Sequence, residues 1–116
     1  MEKYVEKPWG CEVIWAETES YAAKLLFIKA GHILSLQYHQ EKEESIIVSN
    51  GRIKFHWAEK EGEPLTSRVM TPGEHVDIRP GMIHRMEGID NACVIEVSTP
   101  HLDDVVRLED EYGRAE

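Results

Sequence analysis

His39, Glu41, Glu44 and, much farther along, His84 have side chains whose types suit a divalent metal ion. Imidazole and carboxylate donors hold zinc, manganese, iron, cobalt or nickel. Residues two apart in an extended strand point to the same side. Gln37, His39 and Glu41 are therefore expected to face one way. If that way is into a barrel, one ion collects His39, Glu41, Glu44 and His84, with the Gln37 amide oxygen as a weaker fifth donor. Two carboxylates with two imidazoles lean toward harder ions than an all-histidine set. Four protein ligands leave room for substrate when the ion takes five or six. Taken singly, each of these residues reads as an ordinary surface or core position, so the combination carries the reading. His32, His56, His75 and His101 have no comparable setting and are expected to be structural or exposed.

Short strands must position these side chains. Glu12–Trp15 and Tyr21–Lys29 are rich in β-branched, aromatic and leucine residues, and Ser45–Ser49 reads as a buried run. Asn50-Gly51 is the favoured dipeptide of a tight hairpin turn. After it, Ile53, Phe55 and Trp57 alternate with Arg52, Lys54 and His56, a period of two. Leu65–Met70, Val76–Ile78, Ile83–Met86 and Ala92–Ser98 follow, separated by Gly- and Pro-containing turns. No long amphipathic helix interrupts them, which argues for an all-β sandwich or barrel. Leu102–Glu116 differs: it is charged, with unevenly spaced apolar residues, and is expected to form a short helix or a docking arm.

The 116 residues are expected to form a single domain, 1–116, without linker, repeat or low-complexity segment. With 41% apolar residues the chain can bury a core. Its 22 acidic and 13 basic residues give a formal net charge of -9. No Lys/Arg cluster stands out, so nucleic acid is not an expected partner, whereas a small anion needs only a few local cations. No apolar run is long enough to span a membrane, and the charged start lacks a signal-peptide core. Cys11 and Cys93 are the only cysteines and lack metal-type spacing. They are expected to be reduced and buried in a cytoplasmic protein.

The two ligand-bearing stretches resemble the paired motifs of the cupin superfamily. The first offers His39, Glu41, Glu44 and Gly51, and the second Pro80-Gly81 followed by His84. Within that superfamily, Lys7-Pro8-Trp9-Gly10, Ser35-Leu36-Gln37-Tyr38-His39, His84-Arg85 and the ending from Asp103 to Arg114 resemble the type II mannose-6-phosphate isomerase domain. That domain is often fused behind a GDP-mannose pyrophosphorylase domain and is expected here to stand alone. Glu41, Ser45 and Gly88 occupy positions where the family has His, His and Asn, and Lys42 replaces an Arg.

The resemblance implies a jelly-roll, double-stranded β-helix barrel with short N- and C-terminal extensions, one divalent metal ion and a homodimer. It also implies aldose–ketose isomerisation of mannose 6-phosphate or a similar sugar phosphate. A metal stabilises the developing oxyanion and a side chain shuttles the proton. Glu41 and His84 are the expected catalytic residues. Gln37, Lys42, Arg85, Arg107 and Arg114 are the expected substrate-binding residues, the cations serving the phosphate. Two other functions fit the same scaffold: a non-catalytic cupin that binds a sugar, sugar phosphate or sugar nucleotide, and a metal-dependent oxygenase.

Overall fold

Alternation of inward apolar and outward polar side chains builds this chain from strands. The computed structural model describes residues 3–114; the first two and last two residues of the expected domain lie outside them. Eleven strands form among the described residues: β1 (Lys3–Lys7), β2 (Gly10–Glu17), β3 (Ala22–Ile28), β4 (Leu36–Tyr38), β5 (Glu44–Asn50), β6 (Ile53–Ala58), β7 (Thr66–Met70), β8 (His75–Ile78), β9 (Ile83–Gly88), β10 (Ala92–Ser98) and β11 (Val106–Glu109). No helix of the described residues is long and apolar enough to cross a membrane.

The strands make two antiparallel sheets, a six-stranded one in the order β1-β2-β3-β10-β5-β8 and a five-stranded one in the order β11-β4-β9-β6-β7. Each sheet turns one face inward. Leu26, Ile28, Ile46 and Val48 of the larger sheet meet Ile53, Phe55 and Met86 of the smaller, all nearly inaccessible. This is the jelly-roll barrel that the motif resemblance implies.

Three local expectations are overturned. Asn50-Gly51 does not close a hairpin, because β5 pairs with β10 and β8 while β6 pairs with β9 and β7. The turn instead passes the chain from one sheet to the other. Gly51 sits at φ 71°, and a Cβ there would lie 2.5 Å from the Asn91 carbonyl oxygen, so its tightness serves packing against β10. The run Ser45–Ser49 is buried on one face only: Ile46 and Val48 point in, whereas Ile47 is exposed. Of its two expected forms the closing segment takes the docking arm, not the helix, within the described residues. Val106–Glu109 adds to the edge of β4, with Val106 opposite Tyr38 and Arg107 opposite Gln37. The unpaired edge of β4 supplies backbone partners, and Leu108 packs on the outer cluster of Leu36, Ala58 and Ile83. The cysteines are free and half-buried rather than buried, each opposite Phe27 on either side of β3.

Candidate metal centre

His39 follows β4, Glu44 opens β5 and His84 lies in β9, so strands from both sheets bring three donors to one point inside the barrel. All three side chains are buried. His39 Nε2 is 2.9 Å and His84 Nε2 3.5 Å from Glu44 Oε1. The two imidazole centroids are 5.2 Å apart, and one ligand atom from each residue falls within 4.8 Å of the others.

The proton placement suits this site to a cation. His39 Nδ1–H donates to the Asp104 carbonyl and His84 Nδ1–H donates to the Met82 carbonyl at 2.9 Å. In a neutral imidazole whose Nδ1 carries the proton, Nε2 is a lone pair. Both Nε2 lone pairs then face a carboxylate oxygen, and acceptors turned toward one another need a positive charge between them. A backbone partner on the distal nitrogen is also the usual device that orients a metal-binding histidine. The donor set therefore fits a divalent ion held by two imidazoles and one carboxylate, with further coordination positions open.

Glu44 carries the anionic side of the site. Burial, the largest influence, pushes its carboxyl up, yet positive charge at the His39 and His84 Nε2 atoms, whether a proton shared with the carboxylate or an ion in its place, and the Lys42 charge hold it well below the ordinary range. Lys42 is buried too, 3.4 Å from Glu44 Oε2 and 2.9 Å from Glu96 Oε2. Burial lowers its ammonium, but the Glu96 and Glu44 charges outweigh that and raise it. Glu96 is pushed up to about 7 by burial first and the Glu44 charge second. Beyond it, Lys24 pairs with Glu12 at 3.2 Å, so alternating charges run inward across the larger sheet from the triad.

The remaining expected site residues divide. Gln37 stands opposite His84 on one side and Arg107 on the other, so Arg107, Gln37 and His84 form a row across three strands. All three line one cavity of about 80 Å³ with His39 and Glu44. Lys42 reaches the cavity but is committed to its two carboxylates. Arg114 lines an adjoining recess with Lys7 and Arg107 and pairs with Asp110 at 2.8 Å. Glu41 lies apart from the triad: it is exposed on the loop between β4 and β5, and its backbone N–H donates to Asp104 at 2.6 Å. Arg85 is turned to the opposite side of β9 from His84, where its Nε–H donates to the Leu34 carbonyl at 3.0 Å. A larger groove of about 790 Å³ runs outside β4 and β11 and contains none of the triad.

The family departures at Ser45 and Gly88 read differently once placed. The Ser45 hydroxyl donates to Asp77 at 2.7 Å on the exposed side of β5, so this position faces away from the cavity. Gly88 packs against backbone: a Cβ there would sit 2.6 Å from the Lys29 carbonyl oxygen. Neither position can present a side chain to the triad in this fold.

Sequence reasoning missed Lys7, Glu12, Lys24 and Glu96. Lys24 and Glu96 carried a signal, since each interrupts an apolar strand at an inward position, where a charge persists only with a partner. Asp104 was also missed. Its carboxylate accepts from the backbone N–H groups of Gln40, Glu41 and Lys42, and these bonds hold its acid range down at about 2.

Known proteins share this architecture and sequence. The family described as "Mannose-6-phosphate isomerase C-terminal" matches residues 1–110. Mannose-1-phosphate guanylyltransferase 2 of Escherichia coli O157:H7 is 30% identical over 113 residues, covering 93% of this chain and 22% of that protein. Xanthan biosynthesis protein XanB of Xanthomonas campestris is 30% identical over 115 residues, covering 95% of this chain and 23% of its own length. The chain thus spans under a quarter of these relatives. Among solved structures, KdgF from Halomonas sp. superposes with a TM-score of 0.74 at 19% identity, covering 87% of this chain and 90% of that one. An oxalate decarboxylase variant from Bacillus subtilis reaches a TM-score of 0.79 at 14% identity, over 92% of this chain and 30% of that one. These two share the cupin fold. The sequence match over residues 1–110 assigns the chain to a narrower group: it belongs to the mannose-6-phosphate isomerase C-terminal family.

Proposed function

We propose that this chain is a metal-dependent sugar-phosphate isomerase of the mannose 6-phosphate/fructose 6-phosphate type. The observation that carries the reading is the row from His84 through Gln37 to Arg107, which joins a buried cation site to a guanidinium in one cavity. Neighbouring strands are about 4.8 Å apart, so the two ends of the row stand roughly 10 Å apart at the backbone. A hexose phosphate has a similar division, with its carbonyl at one end and its phosphate at the other.

The bound ion would supply polarisation of the substrate carbonyl and stabilisation of the charge that develops there. His39, Glu44 and His84 would hold it. Gln37 lies between the two ends and can donate or accept along the sugar hydroxyls. Arg107 and Lys7 face the same recess as Arg114 and supply the phosphate cations. Lys7 is lowered by burial above all, against the raising charge of Glu12 and with Lys24, Arg107 and Arg114 lowering it further. Mutually repelling cations of this kind gain when a dianion enters. Lys42 and Arg85, with their other commitments, would act through structure. Glu41 is the residue proposed for proton transfer, from its loop; His84, expected to share that role, has Nδ1 committed to the Met82 carbonyl and would give Nε2 to the ion. A cytoplasmic setting and a homodimer belong to the same proposal.

The test combines metal content with turnover. Purified protein is expected to carry about one divalent ion per chain and to form fructose 6-phosphate from mannose 6-phosphate. Chelation should abolish this and a single metal restore it. Glu41→Gln should lower kcat without changing metal content; unchanged turnover removes Glu41 from the mechanism. A second reading, a sugar-phosphate binding cupin without turnover, is favoured by one feature: the cavity of about 80 Å³ is small for a whole hexose phosphate. It predicts thermal stabilisation by the ligand with no product. The two-imidazole, one-carboxylate donor set also suits an iron oxygenase, which would instead consume oxygen with iron alone.

A further inference from the structure

Glu12 and Lys24 interrupt the apolar alternation of β2 and β3 at inward positions, where the same strands otherwise send Ile14, Leu26 and Ile28 into the core. Their side chains are 13% and 9% exposed and meet at 3.2 Å. Lys24 stands opposite Ile14 on one side and Glu96 on the other, and Glu12 stands opposite Leu26. For the fold alone, two apolar residues of similar volume would serve as well or better, because a buried ion pair gains little beyond the desolvation it requires. Most of the pair's hydrogen-bonding capacity also lies outside its own contact. An ammonium has three protons and a carboxylate accepts about four hydrogen bonds, yet among the described residues these two groups make one, to each other. Both residues line the cavity that holds His39, Glu44 and His84. Glu12 and Gln37 also line the recess of Lys7, Arg107 and Arg114. They therefore stand where cavity and recess meet, one from each sheet.

We infer that the Glu12–Lys24 pair is the specificity wall of the site and binds the neutral hydroxyls in the middle of a sugar phosphate, those on C3 and C4. This role rests on the sugar-phosphate reading but not on turnover, since a binding cupin would use the same wall. Charge selects hydroxyls. The pair is neutral as a unit and its carboxylate repels a dianion, so the phosphate goes to Arg107 and Arg114. A hydroxyl both donates and accepts. One hydroxyl can donate to Glu12 while its neighbour accepts from Lys24. The two ionic groups hold each other in place before any ligand arrives, so little order is lost on binding. Position selects the carbons. The reacting carbons C1 and C2 lie at the ion and the C6 phosphate at the cations. The C5 oxygen closes the ring of the cyclic aldose and ketose, which leaves the hydroxyls of C3 and C4. Aldose and ketose share their configuration there, so one wall holds both. Stacked sheets lie about 10 Å apart, so Gln37 and the pair reach the same carbon chain from opposite sides. Hydrogen bonds to charged groups are the stronger kind. A site built for a hydroxyl rejects the analogue without it, because its buried polar groups are then left unpaired.

Titration calorimetry on the full chain as purified decides it, with mannose 6-phosphate, its 3-deoxy and 4-deoxy analogues and inorganic phosphate as probes. Wild type should bind mannose 6-phosphate at least about tenfold tighter than each deoxy analogue. The double variant Glu12→Leu/Lys24→Met removes both charges together, so neither is left buried alone. It should fold, keep its metal content and its affinity for inorganic phosphate, and bind the three sugar phosphates within about threefold of one another, since the groups that told them apart are gone. Wild type that binds mannose 6-phosphate and both deoxy analogues equally overturns the inference and leaves the sugar-phosphate reading standing. So does a double variant that retains the wild-type ratios. A double variant that fails to fold overturns it by making the pair structural, and one that loses inorganic phosphate does so by giving the pair to the phosphate. Wild type that binds none of the sugar phosphates overturns both the inference and the reading beneath it.

Discussion

Two imidazoles with their Nδ1 protons already spent on backbone carbonyls leave Glu44 facing lone pairs. This local arrangement suits the triad to a divalent ion. His84→Ala should therefore take metal content from about one ion per chain to below a tenth; retention of stoichiometric metal would relocate the site. Lys42 tests the charges behind it. It sits between Glu44 and Glu96, all three buried, so Lys42→Met leaves two carboxylates without their cation. Breaking a buried pair in this way costs about 3–5 kcal/mol, and urea unfolding should register a loss of that order. A loss below about 1 kcal/mol would mean that water reaches the pair.

At the scale of elements, the loop between β4 and β5 is held by one residue from the other end of the chain. The three N–H bonds to Asp104 fasten the segment that follows His39, and the Asp104 backbone carbonyl orients His39 itself. Asp104→Ala should destabilise the fold by about 1–2 kcal/mol, the range for losing a helix-cap-like acceptor, and should also weaken metal affinity. The pH dependence has a definite sign. The folded Asp104 titrates at about 2, below the unfolded value of about 3.9. The unfolded chain therefore binds the proton first as pH falls. The stabilisation is present above pH ~3.9 and fades as pH drops toward 2. The Ala variant should lack this part of the acid profile, which parallel acid titrations would show. At Gly88, substitution to Asn should lower the melting temperature by several degrees, as about 1–3 kcal/mol of overpacking does in a domain this size. An unchanged melting temperature would mean that β3 can yield at Lys29.

Across the whole molecule, the proposed ion would link its binding to folding. An ion that binds only the folded barrel adds about 2.7 kcal/mol at a hundred times its dissociation constant. Thermal melts with and without chelator should separate accordingly, and the His84→Ala variant should show no separation. Much of the architecture could be read before any coordinates. Alternation at Ile53, Phe55 and Trp57 and the regular turn signals specify strands, because side-chain period is a local property of the backbone. His39, Glu44 and His84 stood out by residue type. Glu41 shows the limit: it shares parity with His39, but β4 ends at Tyr38, and beyond that residue strand alternation no longer says where a side chain points. Lys24 and Glu96 needed the paired sheet, since only strand order sets one inward charge beside another. Hairpin chemistry at Asn50-Gly51 was equally blind to the fact that β5 and β6 belong to different sheets. The sequence by itself determined most of the strands and the donor types, both of which depend on near neighbours along the chain. The tertiary structure alone decided which donors converge, which cations remain free for an anion and which charge buries which, because those distances arise from contacts between residues far apart in sequence.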